Sequence, residues 1–144
     1  MLTKLLHICG LYLGPENELM PAQADNPDGF WEHLGFVAMN DELLNELGGA
    51  WDLPPKADEN FKHPRLDLLR TKARLLVEGF DSATVWGWKD PRNSLTLPFW
   101  QDLLPKLEQS SSCVIRLKSL TRCGSGTERL IRLVCGFGKS TTGA

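Results

Sequence analysis

Between residues 86 and 92 the chain reads Trp-Gly-Trp-Lys-Asp-Pro-Arg, which places a cation at Lys89, a carboxylate at Asp90 and a guanidinium at Arg92. Lysine and arginine can grip an anion and stabilise charge that develops on it, and a carboxylate can take a proton from an attacking hydroxyl. The same residue types also make an ordinary strand-end ion pair, with Asp90 neutralised by Arg92 or Lys89. Both readings stand on residue types alone. A second string, Asn-Pro-Asp-Gly-Phe-Trp-Glu-His at 26–33, puts Trp31, Glu32 and His33 directly after a strong turn signal. Glu32 or His33 is a credible general base if it faces the same cleft as Lys89. Alternatively, Glu32 and His33 are first-turn residues of a helix, with Phe30 and Trp31 packing at its start.

Elements around these strings must position them. Leu2, Leu5, Leu6 and Cys9 recur at helical spacing before Gly10, which predicts a short first helix. Residues 14–29 are rich in Pro, Asn, Asp and Glu and read as a long polar loop. A second helix is predicted over 33–47, with Phe36, Val37, Asn40, Leu43, Leu44 and Leu47 on one face and Gly48-Gly49 ending it. A third is predicted over 64–80, with Pro64 in the first turn and Leu66, Leu69, Ala73, Leu76 and Phe80 as the buried stripe. Residues 83–88 predict a strand, 94–107 a helix after a start at Pro98, and 112–117 a second strand. Strand, helix, strand predicts a βαβ unit with parallel strands. Ligands then gather at the strands' carboxyl ends, here Lys89-Asp90-Pro91-Arg92 and Lys118-Ser119.

The 144 residues, 42% hydrophobic and 24% charged, have the composition of one globular domain. A net charge of −2 argues against nucleic acid or an anionic membrane as a partner, because such binding needs a basic excess. The charge is uneven: residues 1–115 carry 10 Lys/Arg against 17 Asp/Glu, and residues 116–144 carry 6 against Glu128 alone. The expected organisation is a domain over 1–115 followed by a divergent basic tail over 116–144, disordered or from an aberrant reading frame. Cys9, Cys113, Cys123 and Cys135 lack Cys-x-x-Cys or paired-His spacing, so no metal is expected and reduced thiols are. Residues 1–10 could pass for a secretion signal, but His7 and Ile8 replace the small residues that cleavage wants. No stretch approaches the roughly 18 apolar residues of a membrane span, and the expected location is cytoplasmic. The late run Cys-Gly-Ser-Gly-Thr at 123–127 reads as a flexible turn or a short phosphate loop, without the Gly-Lys-Ser/Thr ending of a P-loop.

Four strings together carry a resemblance: Gly-Leu-Tyr-Leu-Gly-Pro at 10–15, Asn-Pro-Asp-Gly-Phe-Trp-Glu-His at 26–33, Leu-Gly-Gly-Ala-Trp at 47–51 and Trp-Lys-Asp-Pro-Arg at 88–92. In order and spacing they resemble the bacterial sulfotransferase family over about residues 1–115. The resemblance implies an α/β, partial P-loop-like (sulfotransferase-type) fold, helix-rich with a small parallel sheet. It also implies transfer of a sulfuryl group from 3′-phosphoadenosine 5′-phosphosulfate to a hydroxyl or amine on a small-molecule or glycan acceptor. Lys89 matches the family's lysine that supports the departing sulfuryl group. The family's histidine base falls on Pro91, so the resemblance leaves the base to Glu32 first, then Asp90 or His33. Arg92, His33 and Trp31 are the substrate-binding candidates, and Lys118 and Ser119 stand where the family holds the donor's 3′-phosphate. The family's Gly-x-x-Arg-Ser-Gly-Thr-Ser donor loop has no counterpart, because Met1 stands where it ends, so a truncated form, active or inactive, is expected. The alternative class is a non-catalytic remnant or interaction module whose uncovered aromatics bind a partner or drive self-association.

Overall fold

A computed structural model describes residues 2–56, 61–105, 107–110 and 113–117. The first helix, α1 (Leu2–Ile8), ends at Gly10, whose left-handed φ of 98° closes it. Residues 11–13 then run parallel to β1 (Val85–Lys89): the Tyr12 N–H donates to Val85 O at 3.2 Å and the Gly87 N–H donates to Tyr12 O at 3.1 Å.

The second helix, α2 (Leu34–Glu46), starts after His33 and is ended by Gly48, at φ 73°. Its buried face holds Phe36, Asn40, Leu43 and Leu44 as the spacing predicts, with Met39 added and Val37 only half-buried. A 3₁₀ turn at Pro64–Leu66 leads into α3 (Asp67–Glu78), which buries Leu69, Ala73 and Val77. The next helix, α4 (Asn93–Leu103), begins five residues before Pro98, which lies inside it. The expected start at Pro98 is wrong because a turn at 90–93 nucleates the helix earlier. Asp90 Oδ1 accepts the Arg92 N–H at 2.9 Å, and the Asn93 N–H donates to Asp90 O at 3.1 Å. Pro98 therefore removes one helical bond without ending the helix.

The expected parallel βαβ unit does not form. A strand that residue types do not announce, β2 (Leu107–Ser110), precedes β3 (Cys113–Leu117), and the two pair antiparallel. The sheet order is β1-β3-β2, and β3 is antiparallel to β1, with Val85 opposite Leu117 and Lys89 opposite Cys113. The physical reason is the extra reversal: α4 stops at Leu103, Leu104-Pro105 breaks it, and β2 consumes the return path before β3 turns back. Leu-Glu-Gln-Ser has no β-branched or aromatic residue to mark it as a strand. The chain is thus a helix-rich mixed α/β protein whose three strands are antiparallel, not parallel.

The strand period of two sorts the sheet's faces. Trp86, Trp88 and Val114 join Phe36, Phe80, Phe99 and Trp100 in one cluster, under α2, α3 and α4. Val85, Cys113 and Ile115 join Leu6, Leu11 and Leu13 in the other, under α1. The Phe36 ring stacks on Trp88 at 4.2 Å between centroids, and Trp88 meets Trp100 at 4.9 Å. Trp86, Trp88 and Trp100 are fully buried, so they are not the uncovered aromatics of the interaction reading. Between Trp86 and Trp88 only glycine fits, because a Cβ at Gly87 would collide with Val114 O on β3. Among the described residues, no helix is long and apolar enough to cross a membrane.

Candidate functional site

The alternation that sorts the core also separates the residues at the tip of β1. Lys89 falls on the α1 side of the sheet, while Asp90, the next residue, is fully buried on the side of α2 and α4. On the α1 side the Lys89 ammonium forms an ion pair with Glu32 Oε1. Glu32 is almost wholly buried and Lys89 largely so, so the attraction is screened less than at the surface. The Met20 N–H donates to Glu32 O at 2.8 Å, which ties the 14–29 loop to the carboxylate's own backbone. Glu32 Oε2 has no hydrogen bond among the described residues, which leaves that oxygen able to take a proton.

Asp90 has a different role. Its carboxylate accepts from Asn40 Nδ2 at 2.8 Å, from the Arg92 N–H at 2.9 Å and from Arg92 Nη1 at 3.0 Å. Asn40 binds further into α4: its Oδ1 accepts from Thr96 Oγ1 at 3.0 Å and from Trp100 Nε1 at 2.8 Å. Asn93 Oδ1 accepts from Trp88 Nε1 at 3.0 Å and Asn40 Nδ2 at 3.2 Å. This is a buried, closed polar network, and the ion-pair reading of Asp90 with Arg92 is the one observed. Arg92 Nε also lies 2.7 Å from Asp41 Oδ1. Burial works against the Arg92 cation, but Asp90 and Asp41 outweigh it and hold the guanidinium above its ordinary value. Asp90, whose side chain lies on the far face of the sheet from Lys89, thus positions Arg92 and the start of α4.

His33 is the N-cap of α2: its Nδ1 accepts the Gly35 N–H at 3.1 Å. Its Nε2 lies 2.9 Å from Glu18 Oε2, and since Nδ1 is an acceptor, the proton sits on Nε2 and points at Glu18. Burial lowers its pKa, against the pull of Glu18. The ring packs edge-on to Phe36 and Phe80, and a Cβ at Gly14, whose φ is 104°, would collide with it. With its lone pair capping a helix, His33 has no site free to act as a base.

Trp31 stands at φ 58°, a left-handed conformation costly for a bulky residue. Its Nε1–H donates to Asp28 O at 2.8 Å, and its ring lies 5.4 Å from that of His7. Lys4 pairs with Asp28 at 2.8 Å and holds that carboxyl below its ordinary range.

Three clefts meet here. One of about 320 Å³ is lined by Thr3, Lys4, Trp31 and Lys89 among others. A second of about 320 Å³ is lined by Met20, Phe30, Glu32, Trp51, Arg92 and Ser94. The largest, about 600 Å³ and mostly apolar, has His7, Leu19, Pro21, Trp31 and Leu34 in its walls but neither Glu32 nor Lys89. The Lys89–Glu32 pair therefore lies between the two smaller clefts, with the cation lining one and the carboxylate lining the other.

Of the residues singled out by sequence, the structure brings Lys89 to Glu32, and puts Trp31 beside Lys89 and Arg92 beside Glu32, each pair sharing a cleft. Asp90 and His33 are drawn into structural roles. Lys118 and Ser119, the glycine run at 123–127 and most of the 116–144 tail lie outside the described residues. The end of β3 at Leu117 is opposite Val85, roughly 13 Å along the strand from Lys89. Asn40, Asp41 and Trp51 are not among the site residues expected from sequence. Asn40 did carry a signal, a polar side chain on the apolar stripe of α2. Among the described residues, no group of three or more His, Cys, Asp or Glu side chains could hold a metal ion. Compared with protein-family models, curated proteins and solved structures, the chain matches none.

Proposed function

We propose that this chain carries a sulfuryl-transfer site of the sulfotransferase type, with Glu32 as base, Lys89 as the charge-balancing cation and Arg92 at the acceptor. The observation that carries the reading is the Lys89–Glu32 ion pair between two clefts, which separates an anion-attracting side from a proton-accepting side. The run of 11–13 parallel to β1 directly after α1 supports the P-loop-like part of the fold.

The donor in this reading is 3′-phosphoadenosine 5′-phosphosulfate, its sulfuryl end in the cleft of Thr3, Lys4 and Lys89. Lys4 and Lys89, paired at rest with Asp28 and Glu32, suit a sulfonate once those pairs open, and Lys118 and Ser119 remain the candidates for the 3′-phosphate. The acceptor oxygen attacks sulfur while Glu32 Oε2 takes its proton, and the sulfur–oxygen bond to phosphate breaks with its electron pair on the phosphate. The products are a sulfate ester, or a sulfamate from an amine, and adenosine 3′,5′-bisphosphate. Lys89 balances negative charge on the sulfuryl oxygens, and its move toward that anion releases Glu32 from the ion pair. Cys9 is a free thiol, which suits a cytoplasmic protein.

Calorimetric titration with adenosine 3′,5′-bisphosphate, together with transfer of label from radiosulfur-labelled donor, tests the reading. Lys89→Ala is expected to weaken nucleotide binding roughly tenfold, and Glu32→Gln to keep binding while losing transfer by a factor of about 100 or more. Folded protein that binds no nucleotide at millimolar concentration would overturn it.

One observation favours a second reading, that of a non-catalytic interaction module. Leu68 and Leu75 lie seven residues apart on α3 and are 67% and 64% exposed. Concentration-dependent self-association abolished by Leu68→Glu, without nucleotide binding, would select it.

A further inference from the structure

Trp51 is 71% exposed, whereas Trp86, Trp88 and Trp100 are fully buried. An indole left in water on a rigid support is unusual, and here the support is rigid. After Gly48, a Cβ at Gly49 would come within 2.7 Å of Leu53 O and of Pro55 N, so the backbone is folded tightly on itself. Ala50 and Leu53 then exchange two backbone bonds: the Ala50 N–H donates to Leu53 O at 2.7 Å and the Leu53 N–H donates to Ala50 O at 3.2 Å. Trp51 and Asp52 occupy the tip of that closed turn, and Pro54-Pro55 stiffens its outgoing arm.

The turn aims Trp51 at the cleft lined by Glu32. Phe30, Met20 and Leu95 give that cleft an apolar wall, and Glu32, Arg92 and Ser94 give it a polar one. Arg92 Nη1 donates to Asp90 Oδ1 at 3.0 Å, whereas its buried Nε, although 2.7 Å from Asp41 Oδ1, makes no hydrogen bond. Ser94 Oγ donates to Pro91 O at 3.0 Å and keeps its acceptor lone pairs.

We infer that this cleft takes a sugar ring, so that the acceptor is a glycan stacked on Trp51. A pyranose has one face of C–H bonds, which suits the electron-rich face of an indole, and a rim of hydroxyls, which suits a carboxylate, a guanidinium and a hydroxyl on the opposite wall. About 320 Å³ holds one or two such rings. A phenolic or fatty acceptor would fit the 600 Å³ apolar cleft better, but that cleft contains neither Glu32 nor Lys89. The inference rests on Glu32 being the base of the proposed transfer, and its binding half can be tested without any transfer.

The indole N–H signals of the whole chain are followed by NMR during titration with cellotriose, chitotriose and maltotriose, and separately with 2-naphthol; Trp51→Phe assigns the Trp51 signal. At least one trisaccharide is expected to shift that signal saturably at millimolar concentration. Trp51→Ala is expected to weaken the binding roughly tenfold with the thermal midpoint unchanged, and Trp51→Phe to keep part of it. A shift of Trp51 by 2-naphthol alone, or by none of the probes, overturns the glycan assignment. Sugar binding without nucleotide binding or transfer would keep the glycan site and remove the sulfuryl-transfer reading. Transfer to a non-sugar acceptor would do the reverse.

Discussion

Glu32 and Lys89 lie 57 residues apart in the chain and meet in an ion pair at the boundary between two clefts. Glu32 comes from the turn before α2 and Lys89 from the end of β1, so the contact joins the loop to the sheet.

Because Glu32 is buried, Lys89→Met leaves its charge without a partner and is expected to cost about 2 kcal/mol of stability. The double variant Glu32→Gln/Lys89→Met should cost clearly less than the two single changes added together. Urea unfolding in a double-mutant cycle measures this, and strictly additive losses would show that the two groups are not coupled.

Asn40 joins α2 to Asp90, Asn93, Thr96 and Trp100, all buried. Asn40→Leu keeps the number of side-chain heavy atoms and strands several of those polar atoms, so a loss of about 3 kcal/mol is expected. A shift in the urea midpoint worth less than about 1 kcal/mol would contradict the network's role.

The depressed pKa of His33 makes stability depend on pH with a definite sign. Folding disfavours its protonation, so the unfolded chain binds more protons and stability rises with pH. The contribution is complete above the unfolded value of about 6.5 and is lost as pH falls below it toward the lower folded value, at up to about 1.4 kcal/mol per pH unit. His33→Asn keeps an N-cap oxygen and cannot titrate, so its urea midpoint should fall less steeply than the parent's between about pH 6.5 and 5. Parallel curves for the two proteins would refute the assignment.

Gly87→Ala is expected to cost about 2 kcal/mol or more, because the new methyl group meets the Val114 carbonyl, a backbone atom that cannot rotate away. Thermal unfolding reads this directly, and the loss should come with weaker hydrogen-exchange protection along β3.

Much of the local structure was legible in the chain. Gly48-Gly49 marks the end of α2, Pro64 the start of the third helical segment, and the turn at 26–29 closes as its residues demand, with the Gly29 N–H donating to Asn26 O at 3.1 Å. Less legible was β2, whose Leu-Glu-Gln-Ser forms a strand only because β3 is there to pair with it. Without that strand, β3 is inferred parallel to β1 when it runs antiparallel. Asp90 and His33 looked like chemical groups because residue type does not reveal a hydrogen-bond partner. Each proved to be occupied by one: Asp90 by Asn40 and Arg92, His33 by Gly35 and Glu18.

Capping residues, turn residues and apolar spacing act over a few positions, so the sequence by itself determined where α2, α3 and β1 lie and which of their faces seek the core. It also placed Lys89 and Asp90 side by side at the end of a strand. Only the tertiary structure decided that the pleat sends them to opposite faces, Lys89 to Glu32 and Asp90 to Asn40. Those partners lie some fifty residues away, and which of them a side chain meets depends on how helices and sheet pack together, information that no short stretch of sequence contains.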